Sequence, residues 1–519
     1  MNGAESLLQT LVDAGVKVCF ANPGTSEMHL VSAIGRTEAM RPVLCLFEGV
    51  VSGAADGYAR MTDKPALTLL HLGSGFSNSM ANQHNAKRAH VPLVNMVGDH
   101  ATYHLKYDAP LTSDVPGHAN LASDFVRASE SADDLARAGA EAVQASLRGA
   151  GRVATFIAPA NHAWEESSQA ASPLPGQGLE PVSTATLKEI AEALGNGKRT
   201  ALFLGGRALR EAGLFAAGRI AAAAGARLLC EVFPARLQRG VGRVMVQRLP
   251  YFAESAMEAL EEVEQLILVG AAVPVSFFAY PGKPGWLAPE GCEVLTLATV
   301  DQDGTAALEA VADRIGAAAP PDVVEAGTDI PAPSGSLTPV AIGQSLARSL
   351  PDNAIVVDEA NTCGMGIFPA TGRAAPHDWL MLTGGAIGDG LPMALGASIA
   401  CPDRKVVALQ ADGSAMYTIQ ALWSMVREQT DVVVVIMNNR SYAILNVELA
   451  RVGAGQPTPK TLSMLDLSHP DLDFVSLAQG MGVKAGRAST AEEFEALFAE
   501  AIAARGPCLI EAVVDQQLP

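Results

Sequence analysis

The chain is 519 residues long and 49% apolar, and its 36 Lys and Arg against 55 Asp and Glu give a formal charge of −19. That length points to two to four domains, and the acidic balance argues against a nucleic-acid partner or an anionic membrane surface. No uncharged apolar run reaches the roughly 18 residues of a membrane span, the start MNGAESLLQTLVDAG lacks the features of a secretory signal, and seven scattered cysteines without a Cys-x-x-Cys pair suit a reduced, cytoplasmic protein.

Three blocks follow in chain order. Residues 1–165 alternate apolar runs (VKVCFAN, PVLCLFE, PALTLLHL, VPLVNMVGD) with helical stretches, and end at the Pro/Ser/Gly-rich linker SSQAASPLPGQGLEPVS. Residues 183–318 repeat the scheme with RTALFLGG, ARLLCEV, QLILVGAAV and CEVLTLA, before a second linker, APPDVVEAGTDIPAPSGS. Residues 336–519 do so again with AIVVDEA, WLMLTGG, KVVALQA, DVVVVIMN and CLIEAVV. Strands alternating with helices predict an α/β protein of three domains, each with a parallel sheet flanked by helices. In such sheets ligands bind beyond the carboxyl ends of the strands. That rule selects Asn22-Pro23-Gly24-Thr25, Glu48, His71, Gly98-Asp99-His100, Asp358-Glu359, Gly384-Gly385, Asp412 and Asn438-Asn439.

The third block carries the sharpest signal. Asp412 closes the run KVVALQA, Gly413-Ser414 opens a predicted helix through AMYTIQALWSMVRE, and Asn439 ends the next strand 27 residues later. A crossover of that length returns the chain to the same end of the sheet. One carboxylate and one amide oxygen there, with nearby carbonyls, are hard ligands suited to Mg²⁺ bridging a diphosphate. Backbone N–H groups at the predicted helix start favour the anion.

Asp412-Gly413-Ser414 followed by Asn438-Asn439 resembles the Gly-Asp-Gly…Asn-Asn motif of thiamine-diphosphate enzymes, with Ala411 in place of the first glycine. The resemblance extends over nearly the whole chain, to the 2-oxo acid decarboxylases and acetolactate-synthase-like carboligases. It implies a pyrimidine-binding domain, a central domain and a diphosphate-binding domain. It implies thiamine diphosphate and Mg²⁺ as cofactors, with Asp412, Asn439 and the carbonyl of Ser441 as metal ligands. Asn361, Thr362, Gly413, Ser414 and Tyr442 would surround the diphosphate, and Ile387 would prop the cofactor into its bent form. Glu48, in LCLFEGVVSGAADGYAR, would contact N1′ of the aminopyrimidine and favour the imino tautomer that deprotonates the thiazolium carbon. The family also implies a homodimer as the minimum active unit, with Glu48 from one chain facing Asp412 and Asn439 from the other, and a tetramer as the usual assembly.

Within that family the local resemblance is to benzoylformate decarboxylases. NPGTSE puts Thr25 where those enzymes have a serine against the substrate carboxylate, and LLHLGSGFSNSMAN puts His71 at an active-site histidine. Two departures stand out. Phe278, in VPVSFFAYPGKPG, replaces a second histidine, which weakens enamine protonation and favours carboligation. AILNVELARVG offers Glu448 and Arg451 where an aromatic would line the pocket, so a polar or charged substrate tail is expected, with a solvated helix face as the alternative. FAD is not expected, because the arginine/aspartate run of the flavin-containing synthases is missing and FLGGRALREAG is too weak a signature for a dinucleotide. His100 and His104 are candidates for the pocket mouth. The substrate expected is a small 2-oxo acid, converted to an aldehyde or to a 2-hydroxy ketone. A flavoenzyme on the same fold and a non-catalytic cofactor-binding relative are the competing readings.

Overall fold

The computed structural model describes residues 1–326 and 330–515. Positions 327–329 of the second predicted linker and 516–519 of the third block lie outside the described residues. The first block forms a six-stranded sheet from β1 (Val18–Asn22), β2 (Arg41–Leu44), β3 (Ala66–Leu70), β4 (Leu93–Asp99), β5 (Phe125–Ala128) and β6 (Val153–Pro159). Its order is β2-β1-β3-β4-β6-β5, and every pairing is parallel. The middle block supplies β7 (Thr200–Leu204), β8 (Arg227–Cys230), β9 (Leu237–Arg239), β10 (Gln247–Arg248), β11 (Gln265–Val269) and β12 (Glu293–Ala298). The third supplies β13 (Ala354–Glu359), β14 (His377–Met381), β15 (Val406–Ala411), β16 (Val432–Asn438), β17 (Lys484–Ala488) and β18 (Cys508–Val513).

The central sheet runs β10-β8-β7-β11-β12 and the third runs β17-β18-β16-β15-β13-β14-β9. One strand crosses the predicted boundary: β9, from the middle block, pairs antiparallel with β14 of the third. A single chain segment therefore belongs to two domains, which block-by-block composition does not reveal. The strands form where the apolar runs lie, and VVVVIM in β16 is buried throughout, as expected for a parallel sheet covered on both faces. The predicted helix after Asp412 is two short ones, Asp412–Thr418 and Ala421–Arg427. At the break, the Thr418 hydroxyl donates to the carbonyl of Gly388, 2.9 Å away.

First and third domains meet through helices Glu48–Thr62 and Gly390–Ala400. Their backbones approach so closely that a Cβ on Gly57 would lie 2.1 Å from the Met393 carbonyl oxygen, and one on Gly396 1.8 Å from that of Ala54. Only glycine permits such contact. Beside it Arg60, fully buried, donates from Nε and Nη2 to the two oxygens of Asp56 at 2.9 and 2.6 Å. It also donates to the carbonyls of Met381 (2.6 Å) and Ala235 (3.2 Å), so one guanidinium ties together all three domains. The pairing with Asp56 offsets the cost of burying the charge.

Candidate active site

In each outer sheet the strand order reverses at an interior position, the kind of switch point at which ligands bind in open α/β sheets. In the first sheet the reversal falls between β1 and β3, whose last residues Asn22 and Leu70 are register partners. The chain then turns immediately into Thr25 and His71. In the third it falls between β13 and β15, which end at Glu359 and Ala411, just before Asn361 and Asp412.

At the third sheet Asp412 is buried. Its Oδ1 accepts from Gly413 N–H at 2.7 Å and its Oδ2 from Arg440 N–H at 2.6 Å. Burial pushes its carboxyl up to about 6, against the pull of four backbone N–H groups. The two asparagines divide their work. Asn438 turns into the sheet and donates to Glu511 at 2.7 Å, whereas Asn439 lines the cleft, its Oδ1 accepting from Ser441 N–H at 3.0 Å. Arg440, immediately after them, has φ +57, a left-handed turn that carries the chain on to Ser441.

A cavity of about 1020 Å³ opens over these residues. Asn361, Thr362, Ile387, Asp412, Gly413, Ser414, Asn439, Ser441 and Tyr442, all selected from sequence, are among its walls. Ser414 presents little hydroxyl to it, because its Oγ accepts from Gln410 (2.6 Å) and donates to the Ala411 carbonyl (3.1 Å). Ile387 is half-buried and lines the cavity.

The loop carrying Ile387 is held by Asn82 and Asn85, which the sequence reading missed, and by Glu359, which the strand-end rule selected. Asn85 donates to the Ala386 carbonyl (2.8 Å) and accepts from its N–H (3.2 Å), and Asn82 donates to the Gly388 carbonyl (3.0 Å). Glu359, buried and pushed up to about 7, accepts from Gly388 N–H at 2.5 Å and from Gly390 N–H. The signal available was the run NSMANQHNAK, where polar residues recur at helical spacing on a face that proves to be buried.

The first sheet gathers a second cluster. Glu48 starts the helix Glu48–Thr62 and is buried, its Oε2 accepting from Asn78 Nδ2 at 3.0 Å. A Cβ on Gly75 would stand 3.1 Å from Glu48 Oε1 and 3.3 Å from His71 Cβ, so the two residues flank the same small gap. His71 Nδ1 lies 2.8 Å from Glu27 Oε2. Glu27, wholly buried, also accepts from Gly24 N–H (2.7 Å) and Ser26 Oγ (2.8 Å). Thr25 is exposed beside them. Glu27 was missed as a site residue, although it lies inside the NPGTSE run.

The two clusters do not meet within one chain: Glu48, His71 and Thr25 are absent from the walls of the cavity. His100 and His104 lie against each other with tilted rings, centroids 5.6 Å apart, and also stay outside it. Phe278 is 54% exposed and joins Phe277, Tyr251 and Phe252 as aromatic walls from the central domain. The expected charged pocket is therefore corrected in part. Arg451 is engaged by Glu254 at 2.6 Å and by the rings of Phe252 and Tyr280 at 4.5 and 5.0 Å. Glu448 lines the cavity but accepts from the Tyr280 hydroxyl at 3.0 Å.

The donor set suits a hard divalent cation. Among the described residues no three His, Cys, Asp or Glu side chains cluster as a metal site. A cation at Asp412 would take one carboxylate, the Asn439 amide oxygen and a carbonyl, and complete its shell with phosphate oxygens and water. Residues 1–121 match the N-terminal, and 363–512 the C-terminal, TPP binding domain of thiamine pyrophosphate enzymes. The chain belongs to the thiamine pyrophosphate enzyme family. A Mycobacterium tuberculosis protein provisionally named as the acetolactate synthase large subunit IlvX is 52% identical over 518 residues, covering 99% of each chain. The benzoylformate decarboxylase of Pseudomonas aeruginosa is 30% identical, covering 96% of each. Among solved structures, the thiamine diphosphate-dependent 4-hydroxybenzoylformate decarboxylase of Rhodococcus jostii RHA1 superposes with a TM-score of 0.88 at 26% identity, covering 100% of both. As a thiamine pyrophosphate enzyme, the chain has its two binding domains in the two sheets whose switch points carry the clusters above.

Proposed function

We propose that this protein is a thiamine-diphosphate- and Mg²⁺-dependent enzyme that decarboxylates a 2-oxo acid and either releases the remaining fragment, protonated, as an aldehyde or joins it as an acyl-anion equivalent to a second carbonyl to give a 2-hydroxy ketone. The observation that carries this reading is the buried Asp412 beside Asn439 at the β13/β15 switch point, open to a cavity large enough for the cofactor. In this reading Asp412, Asn439 and the Ser441 carbonyl hold Mg²⁺, and Asn361, Thr362, Gly413, Ser414 and Tyr442 surround the diphosphate. Ile387, fixed by Asn82, Asn85 and Glu359, props the cofactor from below. The thiazolium ring, when bound, supplies the electron sink for loss of CO₂. Glu48 holds a proton at the aminopyrimidine N1′. Thr25 and His71 receive the substrate carboxylate, and His71, fixed by Glu27, moves the proton to or from the product carbon.

A homodimer is the minimum unit, because the Glu48 cluster and the Asp412 cavity are separate within one chain and two copies would bring one of each together. A tetramer and a cytoplasmic location are part of the same proposal; the seven cysteines, none of them disulfide-bonded, support the latter. The IlvX name of the 52%-identical relative and Phe278 in place of a histidine favour carboligation. The names of the decarboxylase relatives favour aldehyde release. Proton NMR of the protein loaded with thiamine diphosphate and Mg²⁺, given pyruvate, benzoylformate, branched-chain and dicarboxylic 2-oxo acids in turn, separates them. Aldehyde identifies a decarboxylase and its substrate class, acetolactate or a 2-hydroxy ketone identifies a carboligase, and no product from any acid would overturn the proposal.

A further inference from the structure

The cavity extends past the diphosphate loop into a chamber between the central and third domains, and two arginines give onto it. Arg239 ends β9 and Arg248 ends β10, and both are half-buried with their guanidinium groups against the same ring: Phe368 lies 3.7 Å from one and 4.1 Å from the other. Together they offer about ten N–H donors, of which three have protein acceptors. Arg239 donates to the Phe368 carbonyl (2.8 Å) and Thr371 Oγ1 (3.3 Å), and Arg248 to the thioether sulfur of Met381 (3.1 Å). Among the described residues neither forms an ion pair with a carboxylate. Asp358 is the carboxylate whose field reaches both, yet its two oxygens are already taken by Ala360 N–H (3.1 Å) and Trp379 Nε1–H (3.2 Å). Burial draws both guanidinium groups down, Arg239 to about 9 with the charge of Arg248 adding to the effect. An anion between the two cations would relieve that repulsion.

We propose that Arg239 and Arg248 form an anion subsite that takes the carboxylate or phosphate of an organic ligand whose apolar body lies against Phe252, Val246 and Phe368. A guanidinium fork with unused parallel donors is suited to bidentate oxyanions, and the stacked rings hold both forks in place at little entropic cost. The subsite lines the same cavity as the Asp412–Asn439 cluster but shares no residue with it. Its ligand is either the distal anionic group of a substrate or a separate effector.

The probe is phenylphosphonate, which combines a dianionic head with an aromatic body. It is titrated at constant ionic strength into protein saturated with thiamine diphosphate and Mg²⁺, so that the diphosphate cleft is filled. Binding is read by calorimetry and by Trp emission, since Trp379 lies 5.1 Å from the Arg239 guanidinium. One equivalent is expected to bind, with affinity falling at least tenfold in Arg248→Met and less in Arg248→Lys, and neutral benzyl alcohol is expected not to bind. Cofactor affinity, titrated separately, is expected to be unchanged in both variants. Equal probe binding by wild type and Arg248→Met, or no binding by wild type, overturns the subsite. So does loss of cofactor affinity in both variants, which would place the arginines in the cofactor site instead. Failure of the wild type to bind cofactor at all would count against the proposed function, and the same titration without cofactor would still test the subsite. If 2-oxoglutarate displaces the probe, the ligand is a substrate tail; if both bind together, it is a separate molecule.

Discussion

His71 Nδ1 lies 2.8 Å from Oε2 of the wholly buried Glu27. With Nδ1–H donated to that carboxylate, the ring orientation is fixed. The carboxylate in turn is held by Gly24 N–H and Ser26 Oγ, and it sits so tightly that a Cβ on Gly98 would lie 1.7 Å from its Oε1. Glu27 is thus a positioning residue for the histidine.

Replacing Glu27 with Gln keeps the volume and removes the charge. A hydrogen bond to a charged group is worth about 1.5–3 kcal/mol, so kcat is expected to fall roughly ten- to a hundredfold with KM little changed. Glu27→Asp should recover part of the loss if orientation of His71 is the cause. Steady-state kinetics on all three proteins, with melting curves as controls, check this, and unchanged kcat in Glu27→Gln would remove the assignment.

Glu48→Gln should separate binding from chemistry. The amide preserves shape and the contact with Asn78 but cannot exchange a proton at N1′. Turnover is expected to drop by about 10²–10⁴-fold while calorimetric affinity for thiamine diphosphate changes little. Full turnover in this variant would exclude Glu48 from the proton path.

Stability should fall as pH rises. Glu359 is held up at about 7 by burial, above the ordinary value of 4.5, so the folded protein binds more protons than the unfolded chain between those values. Unfolding free energy therefore decreases with pH through that window, and Glu231, also raised to about 7 by burial, adds in the same direction. The melting temperature is expected to be lower at pH 8 than at pH 5, and the difference to be smaller in Glu359→Gln. Scanning calorimetry at matched ionic strength measures both slopes.

Gly57→Ala tests the join between the first and third domains. The added methyl would meet a backbone carbonyl at 2.1 Å with no flexible side chain to yield. Overpacking of this kind costs about 1–3 kcal/mol, which for a protein of this size should appear as a clear fall in melting temperature. Gly15→Ala is an unsuitable control because of its positive φ, whereas Gly35, with open space around it, is suitable.

Much of the site was legible because the family signature sits at strand ends, where chain order and chemistry coincide. Asp412 and Asn439 follow buried strands that pair in register, so their convergence follows from the length of the crossover. Glu27, Asn82 and Asn85 were not legible as site residues, and Glu359 was legible only as a strand-end position without a role. Each acts through a contact distant in sequence: Glu27 on His71, Asn82 and Asn85 on the loop about 300 residues away, and Glu359 on the same loop from a neighbouring strand. Arg451 misled for the same reason. A charge near the site looks available for substrate until its partner, Glu254, is located 197 residues earlier in the chain.

What the sequence determined by itself was the α/β architecture and the cofactor class, since hydrophobic period and short local motifs fix both within a few dozen residues. Tertiary structure alone decided that β9 leaves its own block to extend the third sheet, that one arginine ties three domains together, and that Arg239 and Arg248 face one chamber. The physical reason is common to all three: they depend on which surfaces pack together, and packing joins residues whose separation along the chain carries no periodic or motif-level trace.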